Sequence, residues 1–371
     1  MQPFAILIGS QAIIALTTVI VFLFLLIIFR FHINKYVYYV FIIVTLIFLL
    51  NFFLYDGRTI ILLTFAEFAI KSFSLFVIGS FSFATDYLKK YFYIFAILNF
   101  ISLLIIVVLG YIETFSYMRF GYAMLPTLLF SIYALRDNSK KLFWSIIMIS
   151  SFTMILIFGS RGPLLGLIIF ILIILFADSK LKMMKKMLFT IGILASYVYF
   201  ISLNGFSKIL DFIYFNLNFQ TYSISKLRLM FEEGVAESSS GRDYLYENFI
   251  NQIMIKPVLG NGIGITQELW DFSPHNLFLQ VLIEFGFVGM AVFLIISLTI
   301  VYLLIKIRSA DNDLFLILSI IFSVSFSRLL VSSDLWLRQE LWLFISMSIN
   351  SFFILKLRSS NRKASINFKK V

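Results

Sequence analysis

Long apolar segments alternate with short polar connections along almost the whole chain. A helix needs about 20 residues to cross the hydrocarbon core of a bilayer, and most of these segments reach that length. We predict eleven membrane spans, at Phe4–Phe29, Tyr36–Leu54, Ile60–Phe81, Tyr91–Leu109, Tyr117–Leu135, Leu142–Phe158, Pro163–Phe176, Met187–Leu203, Asn276–Ile305, Leu314–Val331 and Leu335–Leu355. The pattern indicates an all-α, polytopic integral membrane protein, because a barrel would show short segments of alternating hydrophobicity instead.

The composition excludes a soluble globular protein. Hydrophobic residues make up 61% of the chain and charged residues only 13%, whereas soluble domains carry about 25% charged residues. Cysteine is absent, which excludes disulfides and thiolate metal sites. With two histidines, His32 and His275, a histidine-rich metal centre is not expected either. We therefore expect neither a metal nor a cofactor.

The basic residues are distributed asymmetrically among the short connections, which orients the chain in the membrane. If the N-terminus lies outside, the short basic connections all fall on the inner side: Arg30 and Lys35; Lys89 and Lys90; Arg136, Lys140 and Lys141; Lys180, Lys182, Lys185 and Lys186; Lys306 and Arg308. The basic tail 356–371 then lies inside as well. The net charge of +11 thus reflects topology, and nucleic acid is not an expected partner. Phe4–Phe29 is predicted to be a retained span, because it lacks the basic start and the cleavage site of a signal peptide.

This orientation places one long connection, Asn204–Pro274, on the periplasmic or extracellular face. It separates the eight spans of residues 1–203 from the three spans of residues 275–355. Its composition is not that of a disordered segment, because Phe206–Phe231 is rich in aromatic residues and is predicted to lie in the membrane interface. A second amphipathic helix is predicted at Tyr244–Lys256, where apolar residues recur every four positions.

Two arginines on the outer side are candidate phosphate ligands. Arg161 lies in the tight turn Gly159–Pro163, and Arg242 precedes the helix Tyr244–Lys256. An arginine fixed in a rigid turn can bind a phosphate through two parallel hydrogen bonds. The alternative is that Arg161 extends to the lipid headgroups and that Arg242 is a solvated loop charge.

The sequence Ser273-Pro274-His275-Asn276 predicts the start of a helix. Serine followed by proline is typical of an N-cap and a first helical position. His275 and Asn276 would then lie in the first turn, where free backbone amides attract anions. The partial positive charge of the helix start disfavours imidazolium, so a neutral His275 that accepts a proton is plausible.

Asn276, Gln280 and Glu284 follow one another at four-residue spacing into the membrane. Such polar groups face either a cavity or another helix. We predict a polar cavity, with a stripe of hydrogen bonds between helices as the alternative. Gly286 and Gly289 would allow a neighbouring helix to approach closely.

Other polar features have simpler interpretations. The glycine-rich stretch Pro257–Gly264 is not a dinucleotide-binding loop, since it follows no strand, and it is predicted to form a turn over the membrane surface. Glu67 and Lys71 lie four residues apart in one span and are expected to neutralise each other. Four further arginines near outer span ends are anchors individually, or part of a basic cavity together with Arg161 and Arg242; they are Arg58, Arg119, Arg328 and Arg338.

The chain resembles the O-antigen polymerase and O-antigen ligase superfamily of membrane glycosyltransferases. The resemblance covers about Phe152–Ile295 and depends on the order of several short motifs. They are Ser160-Arg161-Gly162, Gly241-Arg242, Lys256-Pro257-Val258-Leu259-Gly260-Asn261-Gly262, His275-Asn276 with Leu279-Gln280, and Glu284-Phe285-Gly286 with Gly289. Before this region the chain is similar to the superfamily only in being hydrophobic.

The resemblance implies an enzyme that transfers an oligosaccharide from undecaprenyl diphosphate without a metal or a nucleotide sugar. Arg161 and Arg242 match arginines thought to bind the lipid diphosphate, and Arg119 matches a further basic position less closely. His275 matches the histidine proposed to activate the acceptor hydroxyl. The implied partners are the lipid-linked oligosaccharide, membrane lipids and a protein that regulates chain length, in the cytoplasmic (inner) membrane.

Three functions remain open at this point. A polymerase of lipid-linked repeat units is favoured, because the Phe- and Ile-rich sequence is typical of a serotype-specific gene. An O-antigen ligase, which transfers glycan to lipid A-core, has the same layout. A lipid-oligosaccharide flippase is less consistent with the sequence, because a transporter needs charges along a central path and no large outer loop.

Overall fold

The structure is a computed structural model in which every regular element of the described residues is a helix. It describes residues 20, 23–24, 27–28, 34–109, 117–137, 140–159, 162–177, 182–202, 211–216, 224–225, 228, 242–271, 274–332 and 334–368. Twelve α-helical elements are labelled here in chain order: α1 Lys35–Leu54, α2 Arg58–Gly79, α3 Thr85–Val108, α4 Tyr117–Asp137, α5 Lys141–Phe158, α6 Gly162–Ala177, α7 Met183–Ser202, α8 Arg242–Ile255, α9 Ile265–Trp270, α10 Leu277–Ala310, α11 Asn312–Val331 and α12 Gln339–Phe368. A π-helical turn, Phe68–Ser72, interrupts α2, and a separate one lies at Phe212–Asn216.

Seven of these helices are long and apolar enough to cross a membrane: α1, α2, α3, α4, α5, α10 and α11. The shorter α6 is also apolar. All of them coincide with predicted spans to within a few residues, so the multi-pass membrane character is confirmed. The predicted span Phe4–Phe29 lies almost wholly outside the described residues, as does Phe206–Phe231. The total of eleven spans and their orientation remain predictions.

The last predicted span begins later than the hydrophobic pattern indicates. A turn occupies residues 335–337, and α12 starts at Gln339. The side chain of Asp334 accepts a hydrogen bond from the backbone amide of Trp336 at 2.8 Å, which stabilises this turn locally. Apolar residues that the sequence assigns to the helix therefore belong to a connection.

The chain forms two compact units. The first unit contains the described parts of Phe92–Asn248, and the second contains those of Ser10–Tyr91 and Phe249–Val371. In the first unit, α3, α4 and α5 enclose a core of buried residues: Leu103, Ile106, Phe120, Met124, Leu128 and Ile155.

Pro126 lies inside α4, where it removes one backbone donor from the helix. The buried side chain of Asn99 on α3 donates to the carbonyl of Ala123 and to the hydroxyl of Thr127, both at 2.8 Å. The carbonyl that loses its donor to Pro126 is that of Tyr122, and Asn99 joins the neighbouring helix to the next residue, Ala123.

The core of the second unit is aromatic. Phe48 and Phe68 pack against the indoles of Trp336 and Trp342, with ring centroids 4.8 Å apart for Phe48–Trp336 and 4.9 Å for Phe68–Trp342. This cluster fixes the connection between α11 and α12 next to α1 and α2. It also brings that connection beside α10, where the candidate site lies.

Candidate functional site

Helix α10 contains a break at Gly286, whose backbone angles are φ 61° and ψ −160°. The glycine-rich turn after α8 is joined to this break. Four backbone hydrogen bonds make the junction: the amides of Asn261 and Gly262 donate to the carbonyls of Ile283 and Glu284 at 2.8 and 3.0 Å, and the amides of Phe287 and Val288 donate to the carbonyls of Pro257 and Val258 at 2.8 and 3.1 Å. They replace the two bonds that an unbroken helix would form between residues 283 and 287 and between 284 and 288.

Glycine is required on both sides of this junction. A Cβ atom on Gly260 would overlap the backbone of Glu284, and one on Gly286 would overlap the backbone of Val258. Both residues also have positive φ, at 77° and 61°, which glycine adopts at least cost. The prediction that Gly286 and Gly289 admit a neighbouring helix is wrong for Gly286, because the turn of Pro257–Gly264 approaches it.

Glu284 is 2% exposed, and both of its carboxylate oxygens accept hydrogen bonds. Oε1 accepts from the backbone amide of Gly264 at 3.3 Å and from Nε2 of Gln280 at 3.1 Å. Oε2 accepts from Nε1 of Trp336 at 3.0 Å. A buried carboxylate needs such donors, since water is excluded.

Gln280, at 1% exposure, extends this network to the connection between α11 and α12. Its Nε2 also donates to Oδ2 of Asp334 at 2.7 Å, and its Oε1 accepts from the backbone amide of Leu335 at 2.9 Å. We call Gln280, Glu284, Asp334 and Trp336 the Glu284 network. The two stripe residues Gln280 and Glu284 therefore contact protein donors from other segments, which is closer to the alternative of a hydrogen-bonded stripe.

Helix α10 starts later than predicted. Asn276 is its N-cap, and its Oδ1 accepts from the amides of Phe278 at 3.0 Å and Leu279 at 3.3 Å. The prediction that Ser273 is the N-cap and that His275 lies in the first turn is wrong. The reason is that His275 has a left-handed backbone, φ 50°, which cannot be part of the helix. Ser273 lies outside the described residues.

His275 is exposed and directly precedes this cap. It lies on the connection between α9 and α10, and Asp271 on the same connection has φ 57°. Left-handed backbone on a non-glycine residue costs about 1–3 kcal/mol and persists only where neighbouring contacts impose it. The surrounding structure therefore holds the exposed His275 in a defined position.

The predicted phosphate ligands belong to the first unit. Arg161 lies outside the described residues, and Arg242 is the first residue of α8, with its side chain outside the described part. Arg119 is exposed in the first turns of α4. The two ends of the Arg161 turn approach α4 near Arg119: a Cβ on Gly159 would lie 3.0 Å from Cα of Gly121, and one on Gly162 would overlap the ring of Tyr122. The backbone thus brings Gly159 and Gly162 to the same end of the first unit as Arg119.

The other charged residues singled out in the sequence analysis contact protein side chains. Arg338 forms an ion pair with Glu340 at 3.4 Å, and the charge of Arg328 also acts on this carboxylate. Arg58 lies 5.7 Å from the ring centroid of Phe52. Glu67 and Lys71 form the predicted ion pair at 2.9 Å. Among the described residues, no group of three or more histidine, aspartate or glutamate side chains could hold a metal ion.

Sequence reasoning missed Asp334 and Trp336. Both lie at the boundary of a predicted span, where a tryptophan is typical of membrane-interface anchors. It also missed Tyr55, whose hydroxyl donates to the carbonyl of Gly260 at 3.1 Å and whose ring lies 5.0 Å from Nζ of Lys256. The sequence shows that these residues are polar and lie at the ends of predicted spans. It does not show which distant residues they contact.

These observations define a multi-pass membrane protein with an exposed histidine held beside a broken helix. Residues 145–294 match the model of the O-antigen ligase family, and this match places that part of the chain in the O-antigen ligase and polymerase superfamily. The matched region includes Arg161, Arg242, the glycine-rich turn, His275 and Glu284, whereas Arg119, Asp334 and Trp336 lie outside it. Comparisons with curated proteins and with solved structures find no match. The family supports a membrane enzyme of O-antigen or related polysaccharide assembly.

Proposed function

We propose that the protein polymerises undecaprenyl-diphosphate-linked oligosaccharide repeat units on the outer face of the cytoplasmic membrane. The observation that carries this proposal is the family match over residues 145–294, which contains three of the four residues expected to bind or activate substrate. The structure supports it by holding His275 exposed at the start of α10.

The proposed reaction transfers the growing glycan to a sugar hydroxyl of a second lipid-linked unit. The hydroxyl oxygen bonds to the anomeric carbon of the glycan, and the bond between that carbon and the diphosphate breaks. The hydroxyl proton passes to a ring nitrogen of His275 as general base. Arg161 and Arg242, together with Arg119, bind the departing lipid diphosphate and stabilise its charge.

The experiment is the surface-glycan ladder of a strain in which the gene is deleted and then complemented. Deletion should leave a single repeat unit on the lipid A-core, and the parent gene should restore long chains. Long chains that accumulate on the lipid carrier would identify a ligase. Repeat units trapped on the inner leaflet would identify a flippase and would overturn the catalytic proposal.

Site variants test the assigned roles in the same strain. Arg161→Ala should abolish chain lengthening, because the charge on the leaving diphosphate is no longer stabilised, and His275→Gln should reduce it strongly. The control is an equal amount of each protein in the membrane, measured by immunoblot. Normal ladders from Arg161→Ala would remove that residue from the diphosphate site, and normal ladders from His275→Gln would assign the base elsewhere.

A further inference from the structure

We infer that the Glu284 network positions His275, with Trp336 as a positioning residue that lies outside the region matching the family. The inference rests on the proposed function only for the role of His275. Its physical basis is that both ends of the connection carrying His275 are attached to one buried carboxylate and its glutamine neighbour.

The two attachments lie on successive turns of α10. At one end, the amide of Gly264, directly before α9, donates to Oε1 of Glu284 at 3.3 Å. At the other end, the carbonyl of Asn276 accepts from the backbone amide of Gln280 at 2.9 Å, the first hydrogen bond within α10, while the side-chain Nε2 of Gln280 donates to the same Oε1 at 3.1 Å. The start of the connection, at Gly264, is thus bonded directly to the Glu284 carboxylate, and its end, at Asn276, leads into the helical turn that carries Gln280. A movement of the carboxylate therefore displaces the start of the connection directly.

Trp336 holds this carboxylate from the other side. Its indole Nε1 donates to Oε2 of Glu284 at 3.0 Å, while Leu335 and Asp334 bind the amide group of Gln280. Glu284 and Gln280 are 2% and 1% exposed, so water cannot take over a lost hydrogen bond. Removing the indole N–H should make the carboxylate turn towards another donor, and the bond to Gly264 would be the one disturbed.

Trp342 provides a matched control. Its ring stacks on that of Trp336 with centroids 6.3 Å apart, and its Nε1 donates to the carbonyl of Leu335 at 3.2 Å. Trp336→Phe and Trp342→Phe therefore remove the same chemical group from the same aromatic cluster. Only the first substitution removes a donor to Glu284.

The catalytic test uses the full-length chain in proteoliposomes, with lipid-linked repeat units extracted from the deletion strain as substrate. Trp336→Phe should lower kcat by about tenfold to a hundredfold, the effect of a small displacement of a catalytic group, and leave KM near the parent value. Trp342→Phe should leave both constants near the parent values. In a His275→Gln background, Trp336→Phe should cause no further loss, because the two residues act as one unit. A further loss of the same size in that background would overturn the inference.

A second measurement does not depend on catalysis. The chain contains no cysteine, so Leu269→Cys on α9, where the side chain is 48% exposed, accepts a single spin label next to the His275 connection. Trp336→Phe should increase the mobility of the label, and Trp342→Phe should not. An unchanged spectrum in Trp336→Phe would refute the positioning role whatever the reaction is. If His275→Gln keeps full activity while the label still becomes mobile in Trp336→Phe, the proposed base fails and the network stands.

Discussion

At the scale of single residues, the site depends on backbone conformations that most amino acids avoid. Gly286 has φ 61° and ψ −160°, a region that is essentially restricted to glycine. His275 and Asp271 have positive φ without being glycine. Gly286 permits the junction between helix α10 and the glycine-rich turn. His275 and Asp271 show that nearby contacts override the usual preference of non-glycine residues for negative φ.

We expect Gly286→Ala to destabilise the folded protein. Backbone strain alone should cost about 1–3 kcal/mol, and the added Cβ would overlap the carbonyl of Val258. The measurement is the midpoint of thermal unfolding in detergent. Unfolding is monitored as the loss of the monodisperse peak of a fluorescent fusion protein in size-exclusion chromatography. Gly192→Ala is the control, because a Cβ there meets nothing within 4 Å. Equal midpoints for the two variants would show that the junction tolerates a side chain.

At the scale of helices, hydrophobic length predicts the elements well, because each span must satisfy its own backbone hydrogen bonds within the membrane. The sequence places α1 to α6, α10 and α11 to within a few residues. It does not predict the break at Gly286, because the amides and carbonyls released there find partners 22–30 positions earlier in the chain, at Pro257–Gly262.

The start of α10 illustrates the same limit at closer range. Serine followed by proline is a sound local signal for a helix start, yet Asn276 is the N-cap. The contact between Glu284 and Gly264 anchors the start of the preceding connection, and His275 at the end of that connection has a left-handed backbone. The spacing of Gln280 and Glu284 therefore identifies them in the sequence. Their contacts with Asp334 and Trp336 are made by tertiary packing, which the sequence does not show.

Asn99 tests how much the hydrogen bonds between α3 and α4 contribute to stability. Asn99→Leu keeps the approximate side-chain volume but removes the donor to the carbonyl of Ala123 and to Thr127. Hydrogen bonds between membrane helices contribute about 0.6–1.7 kcal/mol each, so a lower unfolding midpoint is expected. Thr127→Val keeps the donor to the carbonyl of Ala123; it removes the bond from Asn99 and the weaker 3.4 Å bond that the Thr127 hydroxyl donates to the carbonyl of Ala96, and should have the smaller effect. A larger loss in Thr127→Val than in Asn99→Leu would show that the bond from Asn99 to Ala123 contributes little.

At the scale of the whole molecule, the region that matches the family extends across both compact units. Residues 145–248 belong to the first unit with Arg161 and Arg242, and residues 249–294 belong to the second with His275. The residues proposed to bind the diphosphate and the proposed base are therefore carried by separate bodies. In the proposed reaction, binding of the lipid diphosphate and activation of the acceptor are assigned to different parts of the fold.

The proposal also requires that His275 faces the outside of the cell, because the lipid-linked repeat units are polymerised there. The distribution of basic residues predicts this orientation, and the absence of cysteine allows a direct test with single-cysteine variants. Leu269→Cys reports on the His275 connection, and Lys140→Cys, exposed just before α5, reports on a basic connection predicted to lie inside. The cells are first treated to remove the outer barrier while the cytoplasmic membrane stays intact. A membrane-impermeant maleimide should then label Leu269→Cys, and should label Lys140→Cys only after the cytoplasmic membrane is permeabilised.

The opposite labelling pattern would place His275 in the cytoplasm and would rule out polymerisation on the outer face. Labelling of both sites before permeabilisation would indicate leaky cells, which a cytoplasmic marker protein identifies.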